Sequence, residues 1–88
     1  MKLSRLFDDD ELNALIHEAE KEAAAKLMRL TPMQRRVLDE IISGHPNKII
    51  AYRLGLSQRT VENHRRDVML RLKCKNTLDL ARLVIVAG

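Results

Sequence analysis

Three residues at fixed spacing constrain the fold of this chain more than any other feature. Ala51, Gly55 and Val61 lie at offsets of zero, four and ten within residues 47–72. A small residue lets two helices cross closely, and a glycine readily adopts the left-handed conformation of a tight turn. A β-branched residue ten positions on can then anchor the second helix in the core. This spacing therefore predicts a helix-turn-helix.

Capping and breaking residues predict five helices and no strand. Each start has a capping residue, and two starts carry a capping box, Asp8 with Glu11 and Thr31 with Gln34. Gly44 and Gly55 mark two of the ends. The expected helices run from about residue 9 to 28, from 32 to the residue before Gly44, and over 47–54, 58–72 and 77–86. The expected caps of the last three helices are Asn47, Ser57 and Asn76. The chain is thus all-α, with a leader at 1–29 and a domain at 30–88.

Apolar residues at helical spacing predict which faces are buried. The expected core positions of the domain are Val37, Leu38, Ile41, Ile42, Ile50, Ala51, Leu54, Val61, Val68 and Leu72. The leader helix is amphipathic, with a stripe formed by Leu12, Leu15, Ile16, Ala19, Ala23 and Leu27. That stripe requires a covering surface, either the domain or a second copy of the helix.

The charge distribution indicates an anionic partner for the domain. Residues 1–29 hold five basic and seven acidic side chains, a net charge of −2, whereas residues 30–88 hold eleven basic and five acidic ones, a net charge of +6. Aromatic residues are limited to Phe7 and Tyr52. Because single-stranded nucleic acids are bound by stacking on aromatic rings, this composition favours a double-stranded partner.

The fourth helix has a polar face suited to reading base pairs. With Val61 at 0°, Val68 and Leu72 return to within roughly 20° of it. The opposite side carries Arg59, Glu62, Asn63 and Arg66, while His64 and Arg65 lie on the flanks, toward phosphates. Arg suits guanine, Asn adenine and Glu cytosine. A charged stripe on an arbitrary helix is more often a solvated surface, but its place after the tight turn in a basic segment favours DNA contact.

Residues 30–88 resemble the LuxR/FixJ family of bacterial helix-turn-helix domains. The resemblance rests on Leu30-Thr31, Val37-Leu38, Gly44, Asn47-Lys48, Ile50-Ala51, Leu54, Leu56-Ser57, Thr60-Val61, His64, Arg71-Leu72 and Ala81. The FixJ branch is indicated by Pro46-Asn47-Lys48, Ala51-Tyr52 and Arg59-Thr60-Val61-Glu62. Two positions depart from the family pattern. Met33-Gln34 stands in place of Arg-Glu, and Glu62 stands where many members carry Lys.

The resemblance implies a four-helix domain that binds double-stranded DNA as a dimer through its last helix, here preceded by one amphipathic helix. It places Glu62, Asn63 and Arg66 at base-reading positions and Lys48, Thr60 and His64 at or near phosphates. Residues 6–12 are similar to the start of the last helix of a receiver domain, and without a complete receiver we expect no phosphorylation control within this chain.

The last helix is apolar nearly all round, which predicts self-association. One of its faces closes the core, and the remainder would be exposed in a monomer. Leu78, Ala81, Arg82 and Ile85 lie along one stripe and are the candidate dimer contacts.

Other classes of function have little support in the sequence. No nucleophile motif, catalytic carboxylate pair or phosphate loop is found, and the histidines and Cys74 lack metal-ligand spacing. Cys74 lies between two lysines that could lower its pKa, although a packed, reduced thiol is the simpler interpretation. We expect a cytoplasmic regulator without cofactor, metal, small-molecule ligand or membrane span.

RNA polymerase is a candidate further partner. The alternative is a stand-alone interaction module that heterodimerises with full-length regulators and antagonises them, an idea favoured by the leader helix. The sequence leaves open the operator, the sign of regulation and the input signal.

Overall fold

Capping residues set the boundaries of five α-helices in the computed structural model, which describes residues 6–88. These are α1 (Asp9–Leu27), α2 (Pro32–Ile42), α3 (Asn47–Leu54), α4 (Gln58–Leu72) and α5 (Thr77–Ala87), and no strand lies within this range. The all-α architecture expected from the sequence is confirmed. The leader expected at 1–29 begins outside the described residues.

Four of the five predicted caps are made by the expected side chains. The amide of Glu11 donates to Asp8 at 2.7 Å and that of Gln34 donates to Thr31 at 3.1 Å, and both capping boxes close. Ser57 and Asn76 accept from the amides of residues 60 and 79 in the same way. Each cap satisfies a helix amide that would otherwise lack a partner.

The predicted cap at Asn47 is wrong by one residue. Asn47 is already the first residue of α3, and Pro46 precedes it as the N-cap in an extended conformation, without a side-chain hydrogen bond. The fixed φ of proline suits that extended cap, so the helix begins immediately after it. The Asn47 side chain is left to accept a hydrogen bond from another helix.

The core lies where α2, α3, α4 and α5 meet. Its fully buried members include Val37, Leu38, Ile50, Val61, Val68 and Leu80. Burial of each such side chain contributes about 1.5–3 kcal/mol relative to exposure. Ile42, predicted to be buried, is 37% exposed. It lies roughly 90° around α2 from the mean direction of Val37, Leu38 and Ile41, at the edge of the buried face.

Helix α1 packs in cis, against α5, through its C-terminal part only. Ala23 and Leu27 are buried, whereas Leu15 and Ile16 are about half exposed and Ala19 is exposed. Within one chain, the domain therefore covers only the C-terminal part of the stripe, and pairing of its first half with a second copy stays a prediction. The reason is length, because α5 extends about 16 Å and α1 about 28 Å. Within residues 6–88, no helix combines the length and apolarity needed to cross a membrane.

Candidate nucleic-acid interface

The tight turn between α3 and α4 has the geometry that the sequence predicts. Gly55 ends α3 in the left-handed conformation, with φ 68° and ψ 33°. The amide of Leu56 donates to the carbonyl of Ala51 at 2.9 Å, which closes the turn. Ala51 and Val61 are both buried. The helix-turn-helix is thus set by a small residue at the crossing, a glycine at the turn and a branched residue in the core.

The turn leaves one face of α4 directed away from the core. Val61, Val68 and Leu72 are buried on the inner side of this helix. The four predicted base-reading residues, which we call the reading face, are all exposed: Arg59, Glu62, Asn63 and Arg66. Arg66 donates a hydrogen bond from Nη2 to Oδ1 of Asn63, so two members of the reading face are already paired.

The predicted phosphate contacts lie in different surroundings. Lys48 is exposed in the first turn of α3, and His64 is half-buried on the flank of α4. The hydroxyl of Thr60 lies 2.8 Å from that of Ser57, at the start of α4.

The guanidinium of Arg65 is held by two other helices. Its Nη1 donates to Oδ1 of Asn47 at 3.4 Å, and its Nη2 donates to Oγ1 of Thr77 at 3.0 Å. Arg65 therefore connects α4 to the first residue of α3 and to the first residue of α5.

A charged cluster that the sequence did not reveal fastens α2 to α3. Nε of Arg53 donates to both carboxylate oxygens of Glu40, at 3.0 and 2.8 Å. Nδ1 of His45 lies 2.5 Å from Oε2 of the same carboxylate. The hydrogen bond from Arg53 is the largest of the effects that lower the pKa of Glu40 below its ordinary value, and the bond to His45 lowers it further. The partners lie five and thirteen positions after Glu40, outside the one-turn spacing that pairs charges on a helix.

A second unpredicted contact joins the C-terminal end of α4 to the link between α1 and α2. Nη1 of Arg71 donates to the carbonyl oxygen of Arg29 at 3.0 Å. The Arg29 carbonyl lies two residues beyond the end of α1, so this bond anchors the link itself to α4. A side-chain bond to a backbone carbonyl 42 residues away has no signature in the sequence.

The predicted dimer residues share one outer face of α5. Leu78 is 58% exposed and Ile85 is 76% exposed, Arg82 is exposed, and Ala81 is half-buried between them. Leu80, on the inner side, is fully buried. The spacing of the four outer residues is that of one helix stripe, and their role as an interface stays a prediction.

Cys74 has the surroundings of a packed thiol. It is half-buried, and burial raises its pKa, with a further rise from Asp79 that Lys26 opposes. The thiolate is therefore disfavoured at neutral pH, contrary to the effect considered for the flanking lysines. Among residues 6–88, no three His, Cys, Asp or Glu side chains form a group that could hold a metal ion.

Comparison with known proteins relates this geometry to bacterial regulators. The family GerE, bacterial regulatory proteins of the luxR family, matches residues 28–84. The transcriptional regulatory protein FixJ of Rhizobium meliloti is 44% identical over 64 residues, which cover 73% of this chain and 31% of the relative. FixJ of Bradyrhizobium diazoefficiens is 33% identical over 99 aligned positions, covering 98% and 48%.

A solved structure agrees with the sequence matches. Full-length FixJ from B. japonicum superimposes with a TM-score of 0.78 at 30% identity, covering 93% of this chain and 47% of that one. The chain spans less than half the length of each of these relatives.

Proposed function

Because the chain belongs to the luxR family of bacterial regulatory proteins, we propose that it is a sequence-specific transcriptional regulator that reads the major groove of double-stranded DNA with α4. One observation carries the proposal. The helix that follows the tight turn presents an exposed face of Arg, Glu and Asn, within a segment whose net charge is +6 from eleven basic and five acidic side chains. That is the composition expected of a recognition helix.

The dimensions of α4 suit this role. The major groove is about 12 Å wide and admits one α-helix. The last turns of α4 are held in the core by Val68 and Leu72, which leaves about its first two and a half turns, through Arg66, to enter the groove. There Arg66 has donors for a guanine edge and Asn63 has both a donor and an acceptor for adenine. Glu62 excludes bases that offer only acceptors and favours the cytosine amino group.

Phosphate contacts would hold α4 in the groove. We propose that three side chains bind the DNA backbone: Lys48 in the first turn of α3, and Thr60 and His64 at the edges of α4. Such contacts carry no sequence information, but they set the orientation of the protein and make affinity depend on salt. The phosphate contact first predicted for Arg65 competes with the hydrogen bonds that its guanidinium already makes.

We further propose that the protein binds as a homodimer. The exposed stripe of Leu78, Ala81, Arg82 and Ile85 on α5 would meet its own copy across a two-fold axis. The two reading helices would then contact inverted half-sites about one helical turn apart, or slightly less. A regulator of this kind acts in the cytoplasm, where DNA and RNA polymerase are found. Its relatives are transcription regulators, and we assign it no catalytic role.

Selection from a randomised duplex library tests the proposal directly. We expect the protein to enrich a two-fold symmetric sequence, on which two chains bind per duplex. Replacing Arg66 by Ala should cost about 1–3 kcal/mol of affinity on that sequence and relax the preference at one base pair of each half-site.

The matched control is Lys48→Ala. It should weaken all duplexes nearly alike and reduce the salt slope by about one per chain. If Arg66→Ala behaved like Lys48→Ala, the reading face would be misassigned. If no sequence were enriched at all, the antagonist module described above would be the better account.

A further inference from the structure

One arginine connects the three helices on which the proposed function depends. Arg65 lies on the flank of α4 beside Arg66, and its guanidinium donates to the first residues of α3 and α5, Asn47 and Thr77. Lys48 follows Asn47 directly in the chain, and Leu78 follows Thr77 directly. The phosphate-binding, base-reading and dimer-forming parts of the domain therefore meet at this side chain.

We propose that Arg65 is a positioning residue, which fixes the orientation of the reading helix relative to α3 and to the dimer helix, and that it is not a phosphate ligand. The inference rests on the proposed function, and it concerns how two reading helices are held at a set separation. The planar guanidinium holds its donors in a rigid fork, so engaging two acceptors fixes its plane as well as its place.

The acceptors explain why the geometry is selective. The oxygens of Asn47 and Thr77 are neutral, and each lies in the first turn of its helix, so a shift of either helix along or around its axis lengthens one of the bonds. The 3.0 Å bond to Thr77 lies within the preferred N–H···O range and weakens steeply on displacement, whereas the 3.4 Å contact with Asn47 is longer and weaker. Arg65 thus favours one orientation of α4 relative to α3 and α5, and that orientation also sets the direction of the adjacent Arg66 side chain.

This arrangement predicts a specific effect on half-site spacing. Since α5 carries the candidate dimer face, the bond between Arg65 and Thr77 links the dimer axis to α4. Loss of the link should make the dimer more tolerant of a changed distance between half-sites. A phosphate ligand at the same position would instead change affinity for all duplexes and the salt dependence.

The experiment compares Arg65→Gln, Thr77→Val and the double variant with wild-type protein. Thr77→Val removes the acceptor without changing charge or shape. Affinities are measured on the duplex selected by the wild-type protein, and on the same duplex with one base pair inserted between the half-sites, at several salt concentrations. We expect each single variant to reduce the preference for correct spacing by a factor of roughly 3 to 10, the size of one net hydrogen bond. The double variant should do little more than Arg65→Gln.

Salt dependence supplies the matched comparison. Thr77→Val should leave the salt slope unchanged, and Arg65→Gln should change it clearly less than Lys48→Ala does. If Thr77→Val matched the wild type while Arg65→Gln lowered the slope by about one per chain, Arg65 would be a phosphate ligand and the inference would be wrong.

A measurement without DNA keeps the two proposals separable. In the isolated protein, the effects of Arg65→Gln and Thr77→Val on the unfolding equilibrium constant should be non-additive, because both remove the same bond. Additive effects would overturn the inference whether or not the protein binds DNA. Non-additive effects without any change in spacing preference would reduce Arg65 to a structural residue and would overturn it as well. Failure of the wild-type protein to enrich any duplex would instead refute the proposed function.

Discussion

Arg66 donates a hydrogen bond to the side-chain oxygen of Asn63, one turn earlier on the exposed face of α4. The bond orients the guanidinium before DNA arrives, and it leaves the Asn63 amino group available to donate to a base. Two residues of the proposed reading face are therefore a coupled pair, and if both contact bases, their contributions to binding should not be independent.

The coupling can be measured on the selected duplex and its single-base variants. Asn63→Ala and Arg66→Ala should each cost about 1–3 kcal/mol, and the double variant should cost at least about 0.5 kcal/mol less than their sum. Asn63→Ala should also relax the preference at the base pair that Arg66 reads. Lys48→Ala, combined with Arg66→Ala, is the control and should be additive. Strict additivity of Asn63 and Arg66 would mean that their bond does not persist on DNA.

The outer face of α5 makes a prediction about assembly. Leu78→Asp or Ile85→Asp introduces a charge at the centre of the proposed interface without disturbing the core, because both side chains are mostly exposed. Sedimentation should show dimer affinity reduced at least tenfold, about 1.4 kcal/mol, with the monomer still folded by circular dichroism. Leu70→Asp, at an equally exposed position on α4, should leave association unchanged. A wild-type protein that binds its site as one chain would refute the dimer.

The uneven burial of α1 predicts two different outcomes for the same substitution. Leu27→Ala removes a side chain that is 9% exposed and should lower the free energy of unfolding by about 2–4 kcal/mol, through lost burial and a residual cavity. Leu15→Ala, at a position 50% exposed, should change it by less than about 0.5 kcal/mol. Urea denaturation at several protein concentrations checks both values. Equal effects at the two sites would show that α1 is covered along its whole length.

Gly55 offers a test of backbone strain without steric conflict. A Cβ built at this glycine meets no atom within 4 Å beyond its own local backbone, so substitution there is opposed by the left-handed φ of 68° alone. Gly55→Ala should cost about 1–2 kcal/mol. Gly55→Asn should cost less, because asparagine tolerates this conformation. Thermal unfolding ranks the three proteins, and an alanine variant as stable as the wild type would contradict the account of the turn.

The cluster around Glu40 makes stability depend on pH in one direction. Because the folded-state pKa of Glu40 is lowered, chiefly by Arg53, ionisation of this carboxylate stabilises the fold above the unfolded-state pKa of about 4.3. That contribution is lost as pH falls from there through the lowered folded-state value. Glu40→Gln should therefore unfold at a lower temperature than the wild type near pH 7, and the difference should shrink toward pH 3. A constant difference across this range would show that the charge of Glu40 is not what fastens α2 to α3.

The features that the sequence revealed are those set by local rules. The sequence predicts each helix cap that depends on a few neighbouring residues. These are the caps at Asp8, Thr31, Ser57 and Asn76 and the turn at Gly55. The inner face of α4 follows from the period of one helix. The sequence could not show that Ala23 and Leu27 are buried while Leu15 and Ile16 are not. That difference depends on how far the shorter α5 extends along the longer α1.

Long-range polar contacts were the other part that could not be predicted. Glu40 and Arg53 are thirteen residues apart, and Arg71 reaches a carbonyl 42 residues earlier in the chain. No periodic pattern marks such partners, since only the tertiary arrangement brings them together. The assignment of Arg65 depended on the same missing information. Its place on the helix wheel predicts a phosphate contact, which stays a prediction, whereas its bonds to α3 and α5 are visible only in three dimensions.

Because α1 is packed only at its C-terminal end, its N-terminal half can move relative to the domain. Its buried end is fixed at Ala23 and Leu27, and the carbonyl just beyond it is bonded to the last turn of α4 through Arg71. Asp9 lies about 21 Å along the helix from Ala23, so a rotation of about 10° about the packed end would move Asp9 by roughly 4 Å. A displacement of that end would therefore turn α1 about Ala23 and Leu27, next to the bond between Arg71 and the Arg29 carbonyl that joins this region to α4.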